Sequence, residues 1–258
     1  NAATTKMSQA AYEAMMRFQL IDFANASQPY SFARNAKNAL KEARETIARC
    51  INASPNEIFF TSCGTESDNW VIKGCKCCKI YTSLIEHHAI LNACIEVALD
   101  GTEVNYMPVN HTGIVEPQVL DGVLTENSLV SIMMANNEIG TILPIKQLAK
   151  IAHSHHSLFH TDAVQAVGHI PVNVRELDVD FLSASAHKFN GPKGIGFLYI
   201  KDGIKINPLI SGGTQENSLR AGTENVASIV AMAIALEENT SRLEENMKYI
   251  QGLEDALI

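Results

Sequence analysis

The feature that most constrains the fold is a regular alternation, through the middle of the chain, of short apolar runs and helical patterns. Several of these runs are continuously apolar, which is typical of strands covered on both faces. Strands that alternate with helices predict an α/β fold with a mostly parallel sheet. The predicted strands are Glu57–Thr61, Lys79–Ser83, Glu103–Val109, Leu129–Ala135, Ser157–His160, Asp180–Ala184 and Gly196–Ile200.

Helical periodicity fills the segments between the strands. In the first of them, Ala36, Leu40 and Ala43 recur at helical spacing and define one apolar face. A further, long helical pattern runs from Thr223 onward. The predicted internal helices are Ala36–Cys50, Glu66–Lys73, Ile90–Leu99 and Ile145–His153.

Composition excludes several classes of protein. The chain has 258 residues, of which 46% are hydrophobic and 19% charged, so it is neither disordered nor of low complexity. The net charge of −8 and the lack of a Lys/Arg-rich run argue against nucleic acid or a membrane surface as a partner. The longest apolar stretch, Val226–Leu236, is too short to span a bilayer. Six cysteines without a regular framework favour reduced thiols and a cytoplasmic location.

Polar residues follow the predicted strands at the edge where open α/β sheets bind ligands. One such segment is a small-residue turn that opens a helix, where free backbone N–H groups and a hydroxyl can bind an anion. Taken singly, each segment is more often a helix cap or a loop contact. Together they predict a ligand site. The segments are Ser62-Cys63-Gly64-Thr65-Glu66-Ser67, Glu86-His87-His88, Asn136-Asn137-Glu138-Ile139-Gly140, Thr161-Asp162-Ala163-Val164-Gln165 and Ser185-Ala186-His187-Lys188.

The lysine and the aspartate in this set have a specific chemical meaning. A lysine that forms a Schiff base and an aspartate that faces a pyridinium nitrogen are the two marks of enzymes that use pyridoxal 5'-phosphate (PLP). Lys188 and Asp162 are the residues that fit these roles. Burial and nearby cations lower the pKa of such a lysine from its usual value near ~10.4.

The chain resembles the NifS/IscS-type cysteine desulfurases, which belong to the class V aminotransferase-like PLP enzymes. The similarity extends over essentially the whole chain, and the motifs occur in the family's order. The matching segments are Phe60-Thr61-Ser62-Cys63-Gly64-Thr65-Glu66-Ser67-Asp68-Asn69, Glu86-His87, Asn136-Asn137-Glu138-Ile139-Gly140, His160-Thr161-Asp162-Ala163-Val164-Gln165, Ser185-Ala186-His187-Lys188 with Gly191-Pro192-Lys193-Gly194-Ile195-Gly196, and Gly212-Gly213-Thr214-Gln215-Glu216 with Arg220-Ala221-Gly222-Thr223-Glu224-Asn225.

The resemblance implies a role for each residue around the cofactor ring. Lys188 is the Schiff-base lysine, and Asp162 pairs with the pyridine nitrogen. His87 stacks on the ring and helps in proton transfer, so these three are the expected catalytic residues. Gln165 reaches the phenolic oxygen, and Asn137 lies on the side of that oxygen and of the substrate carboxylate.

The resemblance also implies the phosphate-binding residues. Thr65, Ser185 and His187, with the backbone at Gly64, are expected to hold the phosphate. Thr223 is expected to add a contact from the other subunit of a homodimer. No metal ligand is implied.

At the level of domains, the resemblance implies a three-layer, fold type I PLP-transferase large domain with a seven-stranded sheet. We expect an N-terminal segment at 1–15, the PLP-binding large domain at 16–225, and at 226–258 a helix that leads toward a small C-terminal domain. Family members carry their nucleophilic cysteine and a substrate-binding arginine in that small domain. We therefore expect the chain by itself not to desulfurate cysteine at a useful rate.

The expected function is conversion of L-cysteine to L-alanine, with the sulfur passed as a persulfide to an acceptor or iron–sulfur scaffold protein. Two other interpretations stay open. One is a different class V reaction, such as that of a selenocysteine lyase, a sulfinate lyase or an aminotransferase, and the other is a non-catalytic PLP-binding protein.

Two further clusters could suggest a metal ion. Cys75-Lys76-Cys77-Cys78 lacks a second cysteine pair, so free thiols are the better interpretation. His153 and His156 could share a helical face near His160, but no acidic ligand is close in sequence. We expect neither cluster to bind a metal.

Overall fold

The computed structural model describes residues 2–256, so Asn1 and residues 257–258, at the ends of the predicted segments 1–15 and 226–258, lie outside the described residues. Within this range a seven-stranded sheet forms the centre of the molecule, in the order β1-β7-β6-β5-β4-β2-β3. Strand β7 is antiparallel to both of its neighbours, and the other pairs are parallel. The predicted α/β fold is therefore confirmed. The strands are β1 Ile58–Thr61, β2 Lys79–Ser83, β3 Glu103–Met107, β4 Leu129–Ser131, β5 Leu158–Asp162, β6 Phe181–Ser185 and β7 Gly196–Ile200.

The four predicted internal helices are present, and their ends differ from the prediction by no more than two residues. The pattern from Thr223 onward forms two helices that are separated at Arg242 rather than one. A first helix, capped by the Ser8 side chain, was not predicted because it buries little apolar surface beyond Ala11. The helices of the described range are α1 Gln9–Leu20, α2 Arg34–Cys50, α3 Gly64–Gly74, α4 His88–Leu99, α5 Pro117–Asp121, α6 Ile145–Ser154, α7 Val174–Leu177, α8 Val226–Ser241 and α9 Leu243–Asp255.

Helices cover both faces of the sheet. On one face Phe59 of β1 packs edge-on against Trp70 of α3, with 6.0 Å between the ring centroids. On the other face Phe60 joins a core cluster with Ile47 of α2 and Leu148 of α6. Because neighbouring residues of a strand point into opposite cores, the strands are continuously apolar in sequence. The sheet with helices on both faces makes a three-layer domain. None of the described helices is long and apolar enough to cross a membrane.

The parallel strands bring their carboxyl ends to one edge of the sheet, and the turn before α3 packs tightly there. Gly196 of β7 pairs with Ser185 and with Thr61 at this edge. A Cβ on Gly196 would lie 2.5 Å from the Ala184 carbonyl oxygen and 3.0 Å from the Cys63 carbonyl carbon. Only glycine allows this approach, which fixes the start of α3 beside the end of β6 and the start of β7.

Candidate functional site

A cavity of about 180 Å³ opens at the carboxyl edge of the sheet. Its walls come from the turn before α3, the start of α4 and the segments that follow β4, β5 and β6. Thr223, the tenth predicted site residue, is not part of this wall. The lining includes nine of the predicted residues, namely Gly64, Thr65, His87, Asn137, Asp162, Gln165, Ser185, His187 and Lys188.

One end of the cavity is suited to an anion. Cys63, the N-cap of α3, makes no side-chain capping hydrogen bond, so the first-turn N–H groups of the helix are available to a ligand. The hydroxyl of Ser185 is buried and, among the described residues, has no hydrogen-bond partner. A Cβ on Gly64 would lie 2.6 Å from Val164 Cγ2, so this position requires glycine for packing. Backbone amides and a free hydroxyl together form a phosphate-sized donor set.

Asp162 forms the floor of the cavity at the end of β5. Its side chain is 5% exposed, and its Oδ1 accepts a hydrogen bond from the Val164 N–H at 2.9 Å. Burial raises the pKa of the carboxyl, while the positive charges of His87 and Lys188 act to lower it. A buried carboxylate that accepts a backbone N–H and lies near the Lys188 amine is suited to hold a protonated ring nitrogen.

Lys188 reaches the cavity from the short 3-10 turn that follows β6. Burial lowers the pKa of its amine, and the charges of Asp162 and Glu138 oppose that shift. Its Nζ donates a hydrogen bond to the carbonyl oxygen of Ala2, and Gln165 Nε2 donates to the same oxygen at 2.8 Å. A lowered pKa leaves more of the amine neutral and nucleophilic at a given pH.

The two histidines of the cavity are held by different elements. His87 is the N-cap of α4, and its Nδ1 accepts the Ala89 N–H at 3.1 Å, so a neutral His87 carries its proton on Nε2. His187 places Nδ1 3.2 Å from the Thr4 hydroxyl. Burial, and then the charges of Lys188 and Lys193, lower the pKa of His187.

The two neighbouring asparagines after β4, Asn136 and Asn137, have different roles. Asn136 is buried and structural, since its Oδ1 accepts the N–H groups of Glu138 and Ile139 and its Nδ2 donates to the Ile85 carbonyl oxygen. Asn137 lines the cavity. Within this motif, Asn136 therefore holds the loop together, and Asn137 is the residue that lines the cavity.

Thr223 lies in a separate cavity of about 200 Å³, which Ser62 and Arg220 also line. The loop before it is fixed by Arg220, which donates from Nε and Nη2 to Glu66 at 2.8 and 3.1 Å. The same loop is fixed a second time by Glu216, which Arg44 contacts at 2.7 Å. Within its own chain, Thr223 is therefore outside the cofactor cavity.

Sequence reasoning missed two buried acids beside the site. Asp68 of α3 lines the cavity and is 1% exposed, and Glu86, which precedes His87, is 5% exposed. Both stand inside the motifs that carry the resemblance. The missed signal for Asp68 was its position one helical turn after Gly64, which places it on the buried side of α3.

The two suspected metal clusters have other environments. All six cysteines are free, and Cys75 and Cys77 are partly buried. His153 pairs with Asp178 and Asp180 at 3.1 and 2.9 Å. Across residues 2–256, no group of three or more His, Cys, Asp or Glu side chains is arranged to hold a metal ion.

Comparison with known proteins places this site in a family. The family model described as aminotransferase class-V matches residues 1–257. Over the whole chain, the cysteine desulfurase IscS of Dictyoglomus turgidum is 51% identical and that of Methanosarcina thermophila is 47% identical. A solved NifS-like protein superposes with a TM-score of 0.97 at 40% identity, covering 99% of this chain and 73% of that one. A structure described as SspA in complex with cysteine has a TM-score of 0.89 at 38% identity, covering 92% of this chain and 71% of that one.

The chain therefore belongs to the aminotransferase class-V family, whose members generally depend on PLP. Within that family it is related to the cysteine desulfurases of the NifS/IscS type. The chain spans 67% and 66% of the lengths of the two IscS relatives.

The residues of the cavity fit PLP on structural grounds. The uncapped start of α3 and the unpartnered Ser185 hydroxyl supply donors for a phosphate. Asp162 supplies a buried carboxylate for a pyridinium nitrogen, and Lys188 supplies an amine with a lowered pKa. These three features match the phosphate, the ring nitrogen and the aldehyde of PLP.

Proposed function

We propose that this protein is a PLP-dependent cysteine desulfurase, which converts L-cysteine to L-alanine and passes the sulfur on as a persulfide. The observation that carries the proposal is the meeting of Lys188, Asp162 and the uncapped start of α3 in one cavity. The relatives from Dictyoglomus turgidum and Methanosarcina thermophila bear the name cysteine desulfurase IscS.

The cavity residues would hold the cofactor at both of its ends. Thr65, Ser185 and the first-turn amides of α3 would bind the phosphate. Asp162 would keep the ring nitrogen protonated, and His87 would stack on the ring. Gln165 would donate to the phenolic oxygen. When bound, PLP draws electrons from the bonds to the α-carbon of the substrate.

Three residues would act on the cofactor aldehyde and the substrate. Lys188 would hold the aldehyde carbon through Nζ and would then move a proton at the substrate α-carbon. His87 has Nδ1 engaged by the Ala89 amide, so its Nε2 is the atom that would exchange a proton. Asn137 would orient the substrate on the side of its carboxylate.

The sulfur atom leaves cysteine for a thiol. A thiolate attacks the sulfur, the C–S bond breaks, and the β-carbon takes a proton, so cysteine and a thiol become alanine and a persulfide. We propose that the persulfide sulfur goes to an acceptor or iron–sulfur scaffold protein. Six free cysteines suit a reducing, cytoplasmic location.

We further propose a homodimer in which Thr223 serves the site of the partner subunit. Thr223 lies outside the cofactor cavity of its own chain, on a loop that two ion pairs hold in place. An exposed hydroxyl on a loop that ion pairs hold in place is suited to complete a neighbouring site under two-fold symmetry.

The experiment that tests the reaction is product analysis. The PLP-loaded protein is incubated with L-cysteine and a dithiol, which takes the sulfur as a persulfide and then closes to a cyclic disulfide with release of sulfide. Alanine and sulfide are measured. However slow the reaction is, alanine and sulfide should form in equal amounts, because each turnover moves one sulfur atom. Amino-group transfer to a 2-oxo acid without loss of sulfur would refute the desulfurase and favour an aminotransferase.

A further inference from the structure

Three carboxyl groups converge beneath the cavity, which is more than the ring nitrogen of a cofactor requires. Asp68 comes from α3, Glu86 follows β2, and Asp162 ends β5, and each is 5% exposed or less. Asp68 and Asp162 both line the cavity. Three negative charges buried away from water would repel one another strongly, so the three carboxyl groups cannot all be ionised at once.

The three groups differ in their partners. Asp162 accepts a backbone N–H and has the basic groups of His87 and Lys188 nearby. Glu86 accepts the Ser83 hydroxyl at 2.5 Å and the Met133 N–H at 3.0 Å. Among the described residues, Oδ1 of Asp68 has no hydrogen-bond partner, and the second oxygen of Glu86, Oε2, has none either.

The neighbour of Asp68 on β5 brings no compensating charge. His160 Nε2 lies 3.7 Å from Asp68 Oδ1, but the His160 ring is fully buried and engaged by two hydroxyls. Ser131 lies 2.8 Å from its Nδ1 and Ser183 lies 3.0 Å from its Nε2. Burial lowers the pKa of His160 to about 3, so the ring is neutral at physiological pH.

Most of the groups that face Asp68 favour its protonated form. Burial has the largest effect on its pKa, and Asp162 on β5, Glu86 after β2 and Cys63 before α3 raise the pKa further when they are ionised. A hydrogen bond from Ser183 on β6 opposes them and lowers the pKa. Of the basic groups of the cavity, His87 and Lys188 act on Asp162 instead and lower its pKa. Of the two acids that line the cavity, Asp162 is thus the one whose charge is compensated.

We propose that Asp68 is a positioning residue which stays protonated, so that Asp162 is the single ionised carboxylate on the floor of the cavity. The inference rests on the proposed function, because the value of one defined charge there is to hold one protonated ring nitrogen. A second charge at Asp68 would draw the same proton, or the amine of Lys188, away from the geometry that Asp162 sets.

Infrared spectroscopy of the cofactor-free chain tests the protonation directly. A protonated carboxyl has a C=O stretching band that a carboxylate lacks, and carbon-13 labelling of aspartate alone shifts the Asp68 band and leaves that of Glu86 unmoved. At neutral pH we expect one labelled aspartate band, lost in Asp68→Asn and kept in Asp100→Asn, a control at the exposed end of α4. A missing aspartate band, or one that survives in Asp68→Asn, would overturn the proposal.

A second measurement tests the coupling between the two acids, and it remains available if Asp68→Asn does not fold. Asp162→Asn removes the charge that faces Asp68, so the pH midpoint of the Asp68 band should fall by about one unit or more. An unchanged midpoint in this variant would contradict the proposal, since a merely structural Asp68 would not respond to Asp162. Both measurements are made without PLP, so a chain that passes them and yet binds no PLP refutes the proposed function alone.

Discussion

Asp162 of β5 is paired in register with Ser183 of β6, and the two strands run parallel. Two residues beyond Ser183 the chain reaches Ser185, and three further on it reaches Lys188. The pairing of β5 with β6 thus sets the relative positions of Asp162, Ser185 and Lys188, the residues proposed for the ring nitrogen, the phosphate and the aldehyde. A slip of one residue would turn these side chains to the other face of the sheet.

Asp162→Asn should weaken PLP binding by about 1.5–3 kcal/mol, the usual range for a hydrogen bond to a charged group. The fold should persist, because the amide keeps the shape of the carboxyl and the Val164 N–H retains an acceptor. Absorbance titration with PLP measures the affinity, and circular dichroism monitors the fold. Wild-type affinity in Asp162→Asn would show that another group holds the ring nitrogen.

Ser185 and Ser183 form a matched pair for testing the phosphate site. The Ser185 hydroxyl has no hydrogen-bond partner within residues 2–256. Ser185→Ala should therefore change the free energy of unfolding by less than about 1 kcal/mol and weaken PLP binding by about 0.5–1.5 kcal/mol. Ser183 contacts His160 Nε2, so Ser183→Ala should destabilise the fold by about 1–3 kcal/mol. Urea unfolding and PLP titration measure the two effects, and the reverse pattern would argue against a phosphate contact for Ser185.

The stability of the chain should fall between about pH 4.5 and pH 8 through Glu86. Burial raises the pKa of this carboxyl from 4.5 to about 8 in the folded chain. Between these values the folded state binds more protons than the unfolded state, so the free energy of unfolding decreases as the pH rises. Glu86→Gln cannot ionise and should be more stable relative to the wild type at pH 9 than at pH 5.

Urea unfolding across this pH range measures the effect, with the exposed Glu126→Gln as control. The difference between variant and wild type isolates Glu86 from the other buried acids. An identical pH dependence in Glu86→Gln and in the wild type would show that Glu86 is ionised in the folded chain.

Thr223 offers a test of the proposed dimer. If it completes the partner's phosphate site, PLP affinity should rise with protein concentration through the range in which the dimer forms, as sedimentation measures it. Thr223→Val should remove most of that rise without changing the dimerisation itself. A PLP affinity independent of protein concentration in the wild type would exclude a shared site.

Cysteine placement predicts little sulfur release when no thiol is added. Among the residues that the structure describes, Cys63 is the only thiol that lines the cavity, and it lies at the N-cap of α3 on the proposed phosphate side. Attack on a substrate sulfur needs an approach of about 3–3.5 Å in a controlled orientation. Alanine formation without added thiol should therefore be weak, and robust activity lost in Cys63→Ser would make Cys63 the sulfur carrier.

The sheet and most of the cavity could be predicted because their signals are local. Continuous apolar runs marked the strands, and small or polar residues at their ends marked the cavity wall. The prediction extended the strand at Leu129 to Ala135, whereas β4 ends at Ser131. Beyond that point Ile132 and Met134 still donate their N–H groups to β5 carbonyl oxygens, which explains the longer apolar pattern.

The missed features depend on distant parts of the chain. The spacing of Asp68 from Gly64 indicates only which face of α3 it lies on, whereas its burial results from the packing of α3 on the sheet. Similarly, the contact of the Ala2 carbonyl oxygen with Lys188 and Gln165 joins residues more than 160 positions apart. Sequence spacing identifies such residues, but only the fold brings them together.

Reductive labelling of Lys188 tests the central claim most directly. The protein is loaded with PLP, treated with borohydride to fix any lysine-bound cofactor, digested and mapped by mass spectrometry. The account predicts labelling on the peptide that contains Lys188, no labelling in Lys188→Ala, and full labelling in Lys193→Ala, a control at an exposed lysine nearby. Labelling of a different lysine in the wild-type chain would contradict the account.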